Sequence, residues 1–140
     1  MKTIILNLEK LKVTIKTKNF NPETDTKLCC TCGEDKCDKR SVKLMALNML
    51  QRVRDEYGYP MNVTSGGRCP LHKNEKHRVV AADHQKGLGV DIRITGLSMA
   101  MKLIAIASKC GFNAFGVNLK KGFVHLGYRP EQNTVSVWTY

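Results

Sequence analysis

Residues 90–129 read VDIRITGLSMAMKLIAIASKCGFNAFGVNLKKGFVHLGYR, and most of the predicted architecture follows from this segment. The short, β-branched run VDIRI predicts a strand at 90–94. Ser98 can cap a helix that continues to about Lys109 and ends at Gly111. AFGVNL, KKG and FVHLGYR then predict a hairpin. A helix among strands that are joined partly by a hairpin predicts an α+β fold with a mostly antiparallel sheet. The predicted buried face of the helix comprises Met101, Ile104, Ala105 and Ser108.

The preceding half of the chain predicts a second main helix. Ser41 is a plausible N-cap, and Gly58 followed by Pro60 ends the helix after Tyr57. Residues 61–64 predict a short strand before the turn SGGRCP, and the alternating tail VSVWTY predicts a last strand. The apolar residues at helical spacing are Val42, Met45, Met49 and Val53.

The N-terminal residues have a different pattern. Apolar side chains alternate over residues 3–17, with a change of parity near Glu9, which predicts two strands. Residues 18–40 are polar and predict a loop. The length of 140 residues favours one domain, 1–140, in which 1–18 add strands to a core formed by 19–140.

The net charge and the N-terminal sequence indicate what kind of partner the chain has and where it is made. The chain carries 23 Lys+Arg against 12 Asp+Glu, a formal net charge of +11, which indicates an anionic partner. Polar and charged residues interrupt the N-terminal apolar run early, so we predict synthesis in the cytoplasm without a signal peptide. No stretch approaches the length of a membrane span. We expect a monomer.

Three residues carry the most informative chemistry. His84 lies seven residues before Asp91, which opens a predicted strand, and His125 lies in the middle of a hairpin strand. Two imidazoles and one carboxylate can hold Zn²⁺ and leave a fourth position open, as in catalytic zinc sites. Spacing alone leaves open that the three side chains are unrelated.

The motifs TSGGRCPLH, ADHQKGLGVDI and FVHLGYRP together resemble the zinc D-Ala-D-Ala carboxypeptidase family. That family includes phage endolysins, and the hedgehog signalling domain shares its fold. Its pattern is roughly SGYRxxxHN, then SxHxxGxAxDI, then a late strand that ends in V-H. The resemblance covers about residues 40–130. It implies a zinc peptidase that acts on peptidoglycan stem peptides, as a D,D-carboxypeptidase or an endopeptidase.

The resemblance also implies roles for individual residues. His84, Asp91 and His125 would be the zinc ligands. Arg68 would lie at the site and bind a substrate carboxylate or stabilise an oxyanion, although a structural salt bridge is the alternative. His72 matches a family position and is expected to be structural rather than a ligand, and an exposed position is expected for His77.

The chain departs from the family pattern where a general base is needed. Family members place a carboxylate either three residues before the last zinc His or two after it, and these positions are Gly122 and Gly127 here. Asp83, next to His84, could be a relocated base, a hydrogen-bond partner of an imidazole, or a solvated residue. We name it as the candidate base, with Glu75 and Glu131 as acids that the sequence does not place.

Six cysteines form the remaining motif, and four of them crowd into nine residues: Cys29, Cys30, Cys32 and Cys37. Three of these, with Cys69 or His72, could hold a structural zinc ion. The alternative is that the thiols are reduced and inert, or oxidised after release from the cell. Cys110, at a helix end, is expected in the core.

These observations rank three functions. The first is a zinc peptidase of the cell wall, resembling a phage endolysin that reaches peptidoglycan after release. The second is a catalytically impaired zinc-containing binding module or virion protein. A nucleic-acid-binding protein ranks last, because aromatic residues are only 6% and none are interleaved with a basic run.

Overall fold

The computed structural model describes residues 15–140. It contains two helices and five strands, preceded by a short 3-10 helix at Thr26–Leu28. The elements are α1 (Leu44–Tyr57), β1 (Val63–Ser65), β2 (Gly89–Arg93), α2 (Leu97–Lys109), β3 (Ala114–Asn118), β4 (Phe123–Gly127) and β5 (Ser136–Thr139). The predicted α+β class is therefore confirmed.

The strands form one sheet in the order β1-β2-β4-β3-β5. All neighbouring strands are antiparallel except β3 and β5, which run parallel. The tight turn between β3 and β4 gives the predicted hairpin, in which Lys121 donates its backbone N–H to the Asn118 side chain at 2.8 Å. Since β4 also pairs with β2, the sheet brings together strands from both sides of α2.

Side-chain alternation gives the sheet two chemically different faces. On β2, Val90 and Ile92 are buried in the hydrophobic core, whereas Asp91 points to the opposite face between them. On β4, Val124 and Leu126 flank His125 in the same way. The apolar face packs in one core with residues of both helices. The register places one row of residues across the other face: Asp91, His125, Gly116 and Trp138.

Two predicted helix starts and two predicted helix faces are wrong in detail. Gly96, not Ser98, precedes the first turn of α2. Residue Lys43, not Ser41, precedes the first turn of α1, because Ser41 is held in an isolated β-bridge with Cys29. Met45 is 55% exposed, and Met101 of α2 is 53% exposed. The buried face of α1 consists of Ala46, Leu47, Met49, Leu50 and Val53, and that of α2 consists of Ala100, Leu103, Ile104, Ile106 and Ala107.

The two predicted N-terminal strands lie almost wholly outside the described residues, and residues 15–17 belong to no strand. Residues 18–40 form the predicted loop, with the 3-10 turn as their regular element. Over residues 15–140, neither helix is long and apolar enough to cross a membrane.

Candidate metal centre and cleft

The three predicted ligands converge on one point of the polar sheet face. His84 Nε2 lies 3.2 Å from Asp91 Oδ1, and His125 Nδ1 lies 3.1 Å from His84 Nε2 and 3.0 Å from Asp91 Oδ1. All three side chains are buried. The direct pairing of Asp91 with His125 across β2 and β4 brings together residues that are 34 positions apart.

A hydrogen bond to the backbone just after β1 fixes the orientation of the His84 ring. Its Nδ1 lies 2.7 Å from the carbonyl oxygen of Gly66, so Nδ1 carries the proton and donates it. That tautomer leaves the lone pair of Nε2 directed at Asp91 and His125. Arg68 donates its backbone N–H to the His84 carbonyl at 3.1 Å, which ties the SGGR turn to the same loop.

The donor set fits a zinc ion. Two imidazole nitrogens and a carboxylate oxygen at about 2.0–2.2 Å from a tetrahedral metal would lie about 3.3–3.5 Å from one another. The observed separations of 3.0–3.2 Å are close to that spacing. Three groups that prefer to accept hydrogen bonds face one another here, which is a favourable arrangement only when a cation or a proton lies among them.

The charges of the ligands are strongly coupled. Burial disfavours the carboxylate of Asp91, but its contacts with the imidazoles of His125 and His84 outweigh this and hold its pKa well below the usual range. For His125, burial disfavours the imidazolium, whereas Asp83 and Asp91 favour it and raise its pKa in the metal-free protein. The site therefore attracts positive charge.

Asp83 lies on the opposite edge of the His125 ring. Its Oδ2 is 2.9 Å from His125 Nε2, while His125 Nδ1 faces the other two ligands. Arg129 also binds Asp83, with Nε 3.0 Å from Oδ1 and one terminal nitrogen 3.2 Å from Oδ2. The hydrogen bonds to His125 and Arg129 together hold the pKa of Asp83 low although burial opposes them. Of the roles predicted for Asp83, hydrogen bonding to an imidazole is the one that these contacts describe.

The missing side chain at Gly127 makes room for this carboxylate. A Cβ atom built on Gly127 would lie 2.5 Å from Asp83 Oδ2 and 2.8 Å from His125 Nε2. The Asp83 carboxylate thus occupies the space into which a side chain at position 127 would extend.

Arg68 reaches the metal centre from the SGGR turn. Its guanidinium lies 3.2 Å from Asp91 Oδ2 and 3.4 Å from Glu75 Oε2, and its Nε donates to Ser65. Arg68 thus lies at the site, as predicted, and it also forms the structural salt bridges that were the alternative to a role in substrate binding. Glu75 is buried, and its Oε1 has no hydrogen-bond partner among the described residues but lies 3.4 Å from Arg78 Nε.

A cleft of about 650 Å³ opens over the ligands. Its basic lining residues include Arg68, Arg78, Lys121 and Arg129, and its aromatic lining residues are Phe123, Trp138 and Tyr140. Trp138 and Tyr140 were not predicted as site residues, since no local sequence pattern shows that β5 pairs with β3. Trp138 packs 5.5 Å from the His125 ring and beneath the Arg129 guanidinium.

The other predicted residues lie elsewhere. His72 is outside the convergent group, and its Nδ1 accepts the backbone N–H of Asn74 at 3.0 Å. His77 is exposed at the cleft, as expected, and Glu131 is exposed outside it. Cys110 is buried in the core, as predicted.

Comparison with known proteins identifies a family over most of the chain. A family model described as Peptidase M15 matches residues 18–127, which include His84, Asp91 and His125. No curated protein and no solved structure matches the chain.

Proposed function

Because the chain belongs to the Peptidase M15 family, we propose that it is a zinc peptidase that hydrolyses the stem peptides of peptidoglycan. The observation that carries the proposal is the convergence of His84, Asp91 and His125 within hydrogen-bond distance at the floor of a basic cleft. Zinc bound by these residues would lower the pKa of a water molecule and polarise a peptide carbonyl.

The chain's own residues supply the remaining parts of the reaction. Arg68 presents its guanidinium beside Asp91 and binds a substrate carboxylate or the developing oxyanion. Asp83 acts as a positioning residue, because its hydrogen bond fixes the His125 ring with Nδ1 toward the other ligands. Glu75 is the proton acceptor, since it lines the cleft and its Oε1, although 3.4 Å from Arg78 Nε, accepts no hydrogen bond.

The composition of the cleft supports an anionic peptide substrate. Four cationic side chains line it against the three carboxylates of Glu75, Asp83 and Asp91, a bound zinc ion would add two further positive charges, and stem peptides carry free carboxylates. Trp138 and Tyr140 add apolar surface on one side. The formal charge of +11 would promote adsorption to anionic wall polymers, as expected of an endolysin that meets the wall after release from an infected cell.

One observation favours a second candidate, a zinc-containing binding module without catalysis. The two positions at which the resemblance places a base are Gly122 and Gly127, and Asp83 is already bound to His125 and Arg129. Such a module would bind stem peptides in the same cleft and release no product.

The test measures zinc content and product release together. Wild type and His84→Ala are incubated with a stem pentapeptide that ends in D-Ala-D-Ala, and with permeabilised Gram-negative cells. We expect D-Ala or a shorter peptide from wild type and none from His84→Ala. A zinc-loaded wild type that is as silent as His84→Ala on both substrates would refute the peptidase proposal.

Two conservative variants separate the carboxylates. Glu75→Gln should lower kcat by about 10²–10⁴-fold at unchanged zinc content, because general-base catalysis contributes that much. Asp83→Asn should weaken zinc binding and lose less kcat once zinc is saturating. The opposite result, full activity of Glu75→Gln and no activity of zinc-saturated Asp83→Asn, would assign the base to Asp83.

A further inference from the structure

A second cluster of potential ligands lies outside the cleft. The Sγ atoms of four cysteines all lie within 4.8 Å of one another: Cys30, Cys32, Cys37 and Cys69. Cys30 and Cys69 are buried, and the other two are half-buried. Cys29, although adjacent in sequence, is not a member, because its thiol faces the Pro22 carbonyl.

The spacing fits a tetrahedral metal rather than disulfides. The Sγ atoms of Cys32 and Cys69 are 3.5 Å apart, whereas a disulfide requires about 2.05 Å. Four thiolates at about 2.3 Å from a tetrahedral zinc ion lie about 3.8 Å from one another. Four thiols that all lie within 4.8 Å of one another are close enough to surround one ion after small adjustments.

The backbone holds the cluster in place without the metal. The Cys30 N–H donates to the Arg40 carbonyl, and the bridge between Cys29 and Ser41 closes the base of the loop that carries three of the cysteines. The Lys39 N–H lies 3.3 Å from Cys37 Sγ, and such donors stabilise negative sulfur.

The fourth cysteine comes from the SGGR turn. A Cβ atom on Gly67 would overlap the Arg40 carbonyl, so the turn packs directly against the end of the cysteine loop. Cys69 follows Arg68, whose guanidinium reaches Asp91. The cluster therefore joins the N-terminal loop to the turn that supports the cleft.

We propose that Cys30, Cys32, Cys37 and Cys69 bind a structural zinc ion that fastens residues 29–40 to the turn that carries Arg68. Four thiolates saturate a tetrahedral ion and leave no open position, so this zinc takes no part in the chemistry. Zn²⁺ with four thiolates carries a net charge of about −2, which a chain of formal charge +11 accommodates. The proposal is independent of the activity assigned to the cleft.

The experiment counts zinc in the full chain purified under reducing conditions. We expect about two zinc ions per wild-type chain, one in each type of site. Cys37→Ser and His84→Ala should each retain about one, and the matched control Cys29→Ser should retain two. A Cys37→Ser chain with wild-type zinc content, or a wild type whose only zinc is lost in His84→Ala, would overturn the proposal.

A spectroscopic measurement protects the test against misfolding of Cys37→Ser. X-ray absorption of the zinc retained by His84→Ala should show sulfur ligands alone at about 2.3 Å, and cobalt substitution should give thiolate charge-transfer absorption. Nitrogen or oxygen ligands only, or disulfides between these cysteines in the freshly reduced protein, would contradict the proposal.

Discussion

Replacing Gly127 by alanine tests how the metal centre is supported. The new Cβ atom would lie 2.5 Å from Asp83 Oδ2, and ordinary contact begins near 3.4 Å, so the carboxylate must retreat by about 0.9 Å. His125 Nε2 lies 2.8 Å from the same Cβ and must retreat as well, so with both atoms moved straight out to ordinary contact the Asp83–His125 distance would grow from 2.9 Å to about 3.7 Å, beyond hydrogen-bond distance. Backbone strain is not involved, since Gly127 does not have a positive φ.

The expected loss follows from the kind of bond. A hydrogen bond to a charged group contributes about 1.5–3 kcal/mol, and residues that orient a metal-binding histidine typically change metal affinity by about 10–100-fold. We therefore expect Gly127→Ala to weaken zinc binding at the His84, Asp91 and His125 site about 10–100-fold. Chelator competition measures the affinity, and imidazole ¹⁵N resonances of His125 assign it to this site.

Gly96→Ala is the matched control. Gly96 has extended backbone and no atom within 4 Å of the added Cβ, so its zinc affinity should equal that of wild type. The double variant Asp83→Ala/Gly127→Asp moves the carboxylate from the loop before β2 to the end of β4 and should recover part of the affinity that Asp83→Ala loses. Wild-type affinity of Gly127→Ala, or no recovery in the double variant, would refute the reasoning.

Three further predictions concern charge. The substitution Arg68→Lys replaces a guanidinium that contacts both Asp91 and Glu75 by a single ammonium, so kcat/KM should fall about 10–100-fold at unchanged zinc content. An unchanged kcat/KM would show that Arg68 takes no part in the mechanism. In the metal-free protein, the raised pKa of His125 stabilises the fold fully below the unfolded-state pKa of about 6.5, and this contribution is lost as pH rises through the folded-state pKa. The lowered pKa of Asp83 also stabilises the fold, and that contribution is lost at acid pH. Urea unfolding after chelation should therefore show a lower free energy of unfolding at about pH 8.5 than at about pH 6, and no difference would contradict the coupling. Raising salt to about 1 M shortens the Debye length to about 3 Å, so it should weaken binding to the cell wall more than it slows turnover of a small peptide. An equal loss of both would mean that the charges act within the cleft rather than in adsorption to the wall.

Local patterns in the sequence predicted the main elements, whereas the proposed ligands His84, Asp91 and His125 were named from the resemblance of three motifs, and the structure brings these three residues together. On each of the two strands the polar residue points away from the apolar neighbours on either side, and the sheet pairs Asp91 and His125 directly. The helix faces were less predictable, because Met45 and Met101 are apolar yet lie on the solvent side. Hydropathy does not distinguish a methionine that packs in the core from one that is exposed.

Long-range contacts account for the rest. The cysteines of one loop gave a local signal, but Cys69 joins Cys32 across 37 positions, a choice that the sequence left open against His72. The position of Asp83 depends on an empty volume at Gly127, which is visible only when β2 and β4 are paired. Trp138 reaches the cleft because β5 pairs with β3 in parallel, and no spacing rule fixes that pairing.

The parallel edge strand β5 has an implication for how this enzyme can diversify. The family match ends at residue 127, yet Arg129, Trp138 and Tyr140 form one side of the cleft. The three proposed ligands and this side of the cleft therefore come from different parts of the chain, although Arg129 binds Asp83 and Trp138 packs on His125. Changes in the last dozen or so residues would thus reshape the cleft and, through these two contacts, the surroundings of His125, while the three ligand residues stay the same.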